Sequence, residues 1–297
     1  MIDIGIVGCG NWATTIIKEI NNNKKFNLTS IVCRKKKKFD SELIIFNSVD
    51  KLIKSNINKT IYIAAQPNLN LEIIKLIKDK SISLILEKPT SDSLKNLEEL
   101  QKIVKENKLI VFPNLTNYFS ETFVKLKSLI EKNYKNISEI IIYEGGYGPF
   151  RKNIHPVWDW GYHCISLLYL LFEKEHFSKI NERIIISKKS KKRGIVCKFN
   201  LKINNNIKVK IITGNLFKKK LRKIKVKMKN GDYIVNDMII HKLYFNNEII
   251  FESMKTPITS LLDRFEKAIR LRKYDTSNRL INASLNTTKF LEKFYKC

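Results

Sequence analysis

Short apolar runs alternate with amphipathic segments over the first third of the chain. The run "IDIGIVG" (2–8) is almost continuously apolar, which is typical of a strand buried in a parallel sheet. Ala13, Ile16, Ile17 and Ile20 then recur at helical spacing. The same pattern predicts strands over 26–33, 60–67, 82–89 and 109–114, and helices over 69–78 and 92–107. This strand–helix repetition predicts a doubly wound parallel sheet with right-handed crossovers.

The pattern changes from about Tyr118, where strands begin to follow one another without helices between them. In "KIKVKMKNGDYIV" (223–235) apolar residues alternate with lysines, and Asn230-Gly231 then predicts a hairpin turn. Further strands are predicted over 183–187, 194–201, 206–213 and 248–253, and helices over 120–132, from near Asp159, over 257–272 and over 277–295. We therefore predict a dinucleotide-binding domain over 1–115 and an α+β domain over 116–297, built on an open, mainly antiparallel sheet.

A glycine-rich loop follows the first predicted strand. "IGIVGCGNWA" supplies Gly8, Gly10 and Ala13, the G-x-G-x-x-A form of the Rossmann dinucleotide fingerprint. Gly8 would allow the tight turn, Gly10 the approach of a pyrophosphate, and Ala13 the close packing of helix on strand. The position between a strand and a helix supports nucleotide binding, and the alternative is a glycine turn in another α/β fold.

The second predicted strand ends in Cys33-Arg34, before four lysines. An acidic residue at this position would bind a ribose 2′-hydroxyl, whereas an arginine accommodates a 2′-phosphate. Arg34 therefore favours NADP over NAD, although a solvated basic turn would look the same in this lysine-rich chain.

Two further stretches carry candidate chemistry. "LILEKPT" (84–90) places Lys88 at the carboxyl end of a predicted parallel strand, where open α/β sheets bind ligands and a lysine could exchange a proton with a hydroxyl. "VWDWGYHCIS" (157–166) places Asp159 and His163 one helical turn apart, so that both could face one cleft. Asp159 as a helix N-cap and His163 as a core histidine are the alternatives. No further ligands accompany the pair at metal-binding spacing, so no metal site is predicted.

Composition narrows the choice of partners. The 56 basic and 28 acidic residues give a formal charge of +28, which would suit nucleic acid. The lysines are spread along the whole chain rather than gathered in one tract, so we expect attraction of anionic substrates and cofactors and no nucleic-acid partner. No apolar run approaches the ~20 residues of a membrane span, and no export signal precedes the first strand. The five cysteines show no C-x-x-C spacing, which argues against a disulfide framework or a zinc site and favours a reducing, cytoplasmic setting.

Three motifs in register resemble a known family. "GIVGCGNWA", "EKPT" and "DWGYH" are similar to the N-terminal fingerprint, the E-K-P motif and the D-x-G-x-H motif of the Gfo/Idh/MocA superfamily, named after glucose–fructose oxidoreductase, inositol dehydrogenase and rhizopine catabolism. "IAAQPNLNLEI" and "NLTNYFSETFVKLKSLI" also resemble family segments. The resemblance runs from Met1 to about Leu171, and beyond it the second domain is assigned by pattern only.

The resemblance implies roles for individual residues. His163 would take or give the proton of the substrate hydroxyl, Lys88 would stabilise the developing alkoxide and position the nicotinamide, and Asp159 would bind substrate hydroxyls or orient His163. These roles could be exchanged. The expected cofactor contacts are Gly8, Gly10, Asn11, Trp12, Ala13, Arg34, Gln66, Asn70, Glu87 and Lys88. The expected substrate contacts are Asn114, Tyr118, Arg151 and Trp158. Asn70 and Asn117 stand where the family usually has histidines, which puts cofactor contacts and substrate choice in question.

These observations predict an NAD(P)-dependent oxidoreductase that interconverts a secondary hydroxyl and a ketone on a sugar, nucleotide sugar or polyol. "GYGPFR" before "WDWGYH" is similar to a branch associated with bacterial surface-sugar pathways. An NAD-dependent glycoside hydrolase of the same superfamily and a non-catalytic nucleotide- or sugar-binding protein are the alternatives. The expected partner is a small sugar-like substrate, without a membrane, and a homo-oligomer is left open.

Overall fold

The computed structural model describes residues 1–34, 42–150, 155–173, 175, 177–189 and 192–294. These residues fall into two compact units. The first unit combines Met1–Leu115 with Ile258–Lys289, and the second combines Thr116–Pro257 with the described residues from Phe290 onwards.

Strands and helices alternate in the first half of the chain, and strands dominate most of the second. The strands are β1 (Ile2–Val7), β2 (Phe26–Val32), β3 (Ile44–Phe46), β4 (Thr60–Ile63), β5 (Ser83–Leu86), β6 (Val111–Pro113), β7 (Ile137–Tyr147), β8 (Phe177–Lys189), β9 (Lys192–Ile203), β10 (Ile207–Gly214), β11 (Leu216–Met228), β12 (Tyr233–Asp237), β13 (Lys242–Phe245) and β14 (Glu248–Glu252). The helices are α1 (Asn11–Asn21), α2 (Val49–Ser55), α3 (Leu69–Ile77), α4 (Leu94–Glu106), α5 (Glu121–Asn133), α6 (Tyr162–Leu171), α7 (Pro257–Arg270) and α8 (Tyr274–Phe294).

The sheet of the first unit is entirely parallel, with strand order β3-β2-β1-β4-β5-β6. This is the order of the Rossmann fold, in which ligands bind outside the carboxyl ends of the strands where the order reverses, here between β1 and β4. The central strands are buried on both faces, as their near-continuous apolar sequences predict, and all four residues of β4 and of β5 are buried.

Part of the last helix belongs to the core of the first unit. Ile281 and Leu285 of α8 join the buried apolar cluster that includes Ile63, Leu84 and Val111. The sequence analysis assigned the whole of 116–297 to the second domain, whereas residues 258–289 cluster with the first.

The sheet of the second unit has eight strands in the order β14-β13-β12-β11-β7-β10-β9-β8. The β7–β10 pair is parallel and the other pairs are antiparallel. Along β10, Ile207, Val209 and Ile211 are buried while Lys208 and Lys210 are exposed, so the sheet has one apolar and one wet face. The predicted fold class, a Rossmann domain with an α+β domain on a mainly antiparallel sheet, is confirmed.

Three of the short elements in the two sheets and their connections were not predicted. Strand β3 has only three residues, and Ile44 and Ile45 on it are largely exposed, so no alternation marks it. Helix α2 has seven residues and follows the N-cap Ser48, whose side chain accepts a hydrogen bond from the Lys51 amide. Strand β13 was the third, and β8 is longer than the predicted 183–187.

A disulfide is present, although the cysteine spacing argued against a disulfide framework. Cys9 and Cys33 are bridged, with their Cα atoms 5.6 Å apart. The spacing rule failed because the two residues are 24 positions apart along the chain and are brought together by strand pairing. Cys164 and Cys197 are buried thiols. No helix in the described part of the chain is long and apolar enough to cross a membrane.

Candidate active site

The loop between β1 and α1 has the backbone that the fingerprint predicts. Gly8 has a φ of 112°, and a Cβ there would lie 2.5 Å from the carbonyl oxygen of Ala64, so only glycine fits. Gly10 precedes α1, and a Cβ built on it would meet no protein atom within 4 Å. Ala13 is 1% exposed and packs α1 onto the sheet. The loop therefore leaves the amino end of α1 open to an anion, as a pyrophosphate site requires.

Other expected cofactor residues surround this loop on the strand ends of the first unit. Asn11 and Trp12 begin α1 and are exposed. Arg34 follows β2 and is exposed, and Gln66 lies exposed between β4 and α3. These four side chains can reach a ligand above the sheet without rearrangement of the core.

A partly buried polar network joins the E-K-P motif to α1. Trp12 Nε1 donates to Glu87 Oε1 at 2.5 Å, and Tyr62 Oη donates to the same oxygen. Asn114 Nδ2 lies 2.8 Å from both Glu87 Oε1 and Tyr62 Oη. Three elements of the parallel sheet and the first turn of α1 thus meet at one carboxylate oxygen.

This network keeps Tyr62 protonated. Burial, followed by the neighbouring Glu87 carboxylate, raises the pKa of the Tyr62 phenol well above its ordinary value. The phenol is therefore a permanent donor to Glu87, and Glu87 is fixed immediately before the partly buried Lys88. The sequence analysis missed Tyr62, and it predicted Asn114 as a substrate contact. The structure places Asn114 fully buried in this network.

Asn70 also supports the E-K-P turn. It is 1% exposed at the start of α3, and its Nδ2 donates to the carbonyl oxygen of Thr90 at 3.0 Å. Thr90 Oγ1 in turn bonds to Ser284 Oγ at 3.0 Å. In place of the family's histidine, this asparagine therefore anchors the segment that follows Lys88 and Pro89.

In the second unit, Asp159 and His163 lie where one kind of helix changes into another. Residues Val157–Gly161 form a π-helical turn that begins after Pro156, and α6 continues from Tyr162. Such turns are rare and often occur at functional sites. Asp159 is the third residue of this turn and partly exposed, so its alternative assignment as an N-cap is wrong. His163, on the first turn of α6, is 9% exposed.

Two of the remaining substrate candidates also lie in the second unit. Trp158 is partly exposed in the π-helical turn beside Asp159. Tyr118 is 5% exposed, and its ring packs edge-on against Phe119 and Phe123, with centroids 5.1 and 5.9 Å away. Arg151 lies outside the described residues.

A second buried network, which the sequence analysis did not predict, underlies the π-helical turn. Arg222 Nε lies 2.9 Å from the fully buried Glu144 carboxylate. Asn117 Nδ2 donates to Glu144 at 3.3 Å, and Asn117 Oδ1 accepts from Arg222 Nη1 at 3.3 Å. The Arg222 guanidinium also lies 5.9 Å from the ring centroid of Trp160. Asn117, at the second position where the family has histidine, is thus an internal support of the second unit.

The predicted site residues divide between the units. The first unit holds Lys88 and the expected cofactor contacts, and the second holds Asp159, His163 and Trp158. The convergence of Lys88 and His163 on one substrate stays a prediction. Among the described residues, no group of three or more histidine, cysteine, aspartate or glutamate side chains could hold a metal ion.

Fold and site together define the class: a Rossmann dinucleotide-binding domain followed by an α+β domain, with an E-K-P turn tied to the phosphate loop. Residues 2–115 match the model of the Gfo/Idh/MocA oxidoreductase family, described as having an NAD-binding Rossmann fold. The resemblance inferred from the motifs is confirmed for residues 2–115, which match the NAD-binding Rossmann domain of that oxidoreductase family.

Solved structures share this fold over nearly the whole chain. The dehydrogenase MviM from Clostridium difficile is 17% identical, with a TM-score of 0.80 and coverage of 99% of this chain and 98% of that chain. UDP-N-acetylglucosamine 3-dehydrogenase GnnA from Acidithiobacillus ferrooxidans is 13% identical, with a TM-score of 0.75 and the same two coverages.

A third structure, aldose-aldose oxidoreductase from Caulobacter crescentus in complex with glycerol, is 12% identical, with a TM-score of 0.79. The match covers 99% of this chain and 96% of that chain. At such identities the likeness concerns the fold alone. No curated protein sequence matches the chain.

Proposed function

We propose that the protein is an NAD(P)-dependent oxidoreductase that interconverts a secondary hydroxyl and a ketone on a sugar, nucleotide sugar or polyol. The family of the first domain supports the cofactor class. Two proteins of the same fold act on a nucleotide sugar and on an aldose, which supports a sugar-like substrate for this chain. A role in surface-polysaccharide synthesis accords with a nucleotide-sugar substrate.

One observation carries the proposal: the hydrogen bond from Trp12 to Glu87. It ties the first turn of α1, whose amino end suits a pyrophosphate, to the residue immediately before Lys88. A dinucleotide bound at this loop would extend along the carboxyl ends of the parallel strands towards the E-K-P turn. Lys88 is thereby held at the strand end where a nicotinamide ring and a reacting hydroxyl would lie.

The residues of this chain would then manage the proton. A bound nicotinamide supplies the hydride acceptor or donor. In our proposal His163 takes the hydroxyl proton during oxidation and returns it during reduction, while the Lys88 ammonium stabilises the oxygen as negative charge develops. Asp159, partly exposed one turn before His163, orients the imidazole or binds neighbouring hydroxyls.

A spectroscopic assay separates this function from its alternatives. The protein, with NADH or NADPH, is offered a panel of ketoses, oxidised sugars and nucleotide sugars, and the reduced nicotinamide absorbance is followed. A dehydrogenase gives a lasting change in this absorbance. A glycoside hydrolase that oxidises its substrate only transiently would leave the absorbance unchanged while releasing the leaving group. Cofactor binding without either reaction would indicate a binding protein.

We further propose that the protein prefers NADP, because the exposed Arg34 follows β2 where the adenosine ribose would lie. Replacing this guanidinium should remove a charge-assisted contact to the 2′-phosphate. In Arg34→Ala, the dissociation constant of NADPH should rise about tenfold or more, equivalent to ~1.4 kcal/mol or more, while that of NADH changes little. Fluorescence titration of both cofactors measures this ratio. Equal affinities for NADH and NADPH in the wild type would overturn the preference.

A further inference from the structure

The disulfide between Cys9 and Cys33 joins the two loops on which the dinucleotide site is built. Cys9 lies between Gly8 and Gly10 in the phosphate loop, and Cys33 lies directly before Arg34. The Cα–Cα distance of 5.6 Å is within the usual range for a bridged pair.

Strand pairing explains why these residues meet. Strands β1 and β2 are parallel neighbours, and their last residues, Val7 and Val32, are partners in the sheet. The amide of Gly8 continues this pairing with a hydrogen bond of 3.0 Å to the carbonyl oxygen of Val32. The segments that follow β1 and β2 therefore leave the sheet side by side. A cysteine follows each strand within two residues.

We propose that Cys9 and Cys33 form a reversible redox site that controls cofactor binding: the bridged form binds the dinucleotide weakly, and the dithiol form binds it well. This inference rests on the proposed function, because it assumes that a dinucleotide binds at this loop. In a Rossmann domain the pyrophosphate lies on the glycine loop and the adenosine ribose beside the end of the second strand. The bridge connects these two subsites directly.

The bridge would oppose binding in two ways. It fixes the partly exposed Cys9 side chain at the carboxyl ends of β1 and β2, beside the position expected for the ribose. It also ties the phosphate loop to β2, so that the loop amides cannot adjust to the pyrophosphate oxygens. Opening the bridge removes the tether and frees the Cys9 side chain, which is partly exposed, to turn away.

Exposure decides which sulfur reacts. Cys9 is partly exposed, whereas Cys33 is 6% exposed. The thiolate of a thioredoxin-class dithiol would attack the Cys9 sulfur, forming a mixed disulfide and releasing Cys33 as a thiolate that takes up a proton. The second thiol of the reductant would then attack the reductant sulfur that is bonded to Cys9. This step closes the disulfide of the reductant and releases Cys9 as a thiol. Two electrons pass from the dithiol to the protein, and exchange with a low-molecular-weight disulfide reverses the reaction.

The two buried thiols contrast with this pair. Cys164 and Cys197 are both fully buried. Burial, followed by the Glu144 carboxylate, raises the pKa of the Cys164 thiol well above its ordinary value, which keeps this thiol protonated and unreactive. A disulfide in a chain whose sequence predicts a reducing compartment is, in addition, more often regulatory than structural.

The test compares wild type, Cys9→Ser and Cys33→Ser, each equilibrated with either oxidised glutathione or dithiothreitol and then desalted. Labelling with N-ethylmaleimide after denaturation, read by intact mass, reports the bridge independently of any cofactor. The bridge takes up two thiols, so oxidised wild type should take up two labels fewer than reduced wild type. Dissociation constants for NADH and NADPH are then measured by fluorescence titration.

Reduced wild type should bind the preferred cofactor at least about tenfold more tightly than oxidised wild type. Both serine variants should bind like reduced wild type in either buffer, which excludes a general effect of the reagents. Equal or tighter binding by the oxidised form, or equal label numbers after oxidation and after reduction, would overturn the inference and leave the proposed function intact. Absence of dinucleotide binding in both redox states would instead refute the proposed function, and this inference with it.

Discussion

The phenol of Tyr62 shows how a single buried group can position the E-K-P turn. Tyr62 is fully buried in β4, donates to Glu87, and accepts from Asn114. Without its hydroxyl, the amide of Asn114 loses one acceptor and Glu87 loses one donor. Tyr62 does not need to touch the substrate to affect the proposed reaction, because it holds Glu87, the residue immediately before Lys88.

We expect Tyr62→Phe to lower the free energy of unfolding by about 1–3 kcal/mol, since it removes a buried hydrogen bond to a carboxylate. Urea denaturation measures this change. Tyr147→Phe is the matched control, because Tyr147 is 73% exposed and its hydroxyl should contribute within about 0.5 kcal/mol. Equal stability of Tyr62→Phe and the control would show that the network is not a structural unit.

At the scale of single residues, the sequence predicted positions better than roles. The loop glycines, Arg34 and Lys88 lie at strand ends as their motifs indicated. The sequence could not show that Asn70 and Asn117 point into the protein, since a polar residue reads alike whether it binds a ligand or a carbonyl oxygen. Their hydrogen bonds to Thr90 and Glu144 answer that question.

Among the elements, the wet face of the second sheet depends on an ion-pair cluster. Glu139 on β7 lies 2.6 Å from Lys210 Nζ on β10 and 2.8 Å from Lys227 Nζ on β11. Hydrogen bonds from Lys210 and then from Lys227 hold the pKa of the Glu139 carboxyl below its ordinary value of 4.5. One carboxylate thus joins three neighbouring strands and offsets the repulsion between their lysines.

The pH dependence of this cluster follows from its lowered pKa. Stability from the ionised Glu139 is present above pH 4.5 and is lost as the pH falls through the lower pKa of the folded state. Glu139→Gln should therefore melt at a lower temperature than wild type at pH 7, and the two should converge in acid. Glu248→Gln, at an exposed glutamate of the edge strand β14, should leave the melting temperature unchanged both at pH 7 and in acid. A melting difference that does not shrink as the pH is lowered below 4.5 would contradict this account.

Element prediction succeeded where periodicity was long and failed where geometry was irregular. Helix α4 spans Leu94–Glu106, close to the predicted 92–107. The π-helical turn before α6 was not predicted, because it differs from an α-helix in hydrogen bonding and not in the spacing of apolar residues. The Cys9–Cys33 bridge was also missed, although parallel pairing of β1 and β2 places the residues after both strands side by side.

For the whole molecule, the change from alternating helices and strands to consecutive strands predicted two sheets and their connection near residue 115. It could not predict that Ile281 and Leu285 complete the core of the first unit. An amphipathic helix shows that one face is buried but not against which sheet. The motifs of the proposed reaction are likewise divided between the two units, with Lys88 in the first and His163 in the second.

The central claim is that Lys88 and His163 act together on a substrate hydroxyl, and the most direct test is turnover in variants that still bind cofactor. With a substrate found in the panel assay, Lys88→Ala and His163→Ala should each lose ~10²–10⁴-fold in kcat while the cofactor dissociation constant changes little. Lys80→Ala, at an exposed lysine of the first unit, is one control. His241→Asn, at a φ of 54° that asparagine tolerates, is the other. Near-wild-type kcat in both active-site variants would contradict the account.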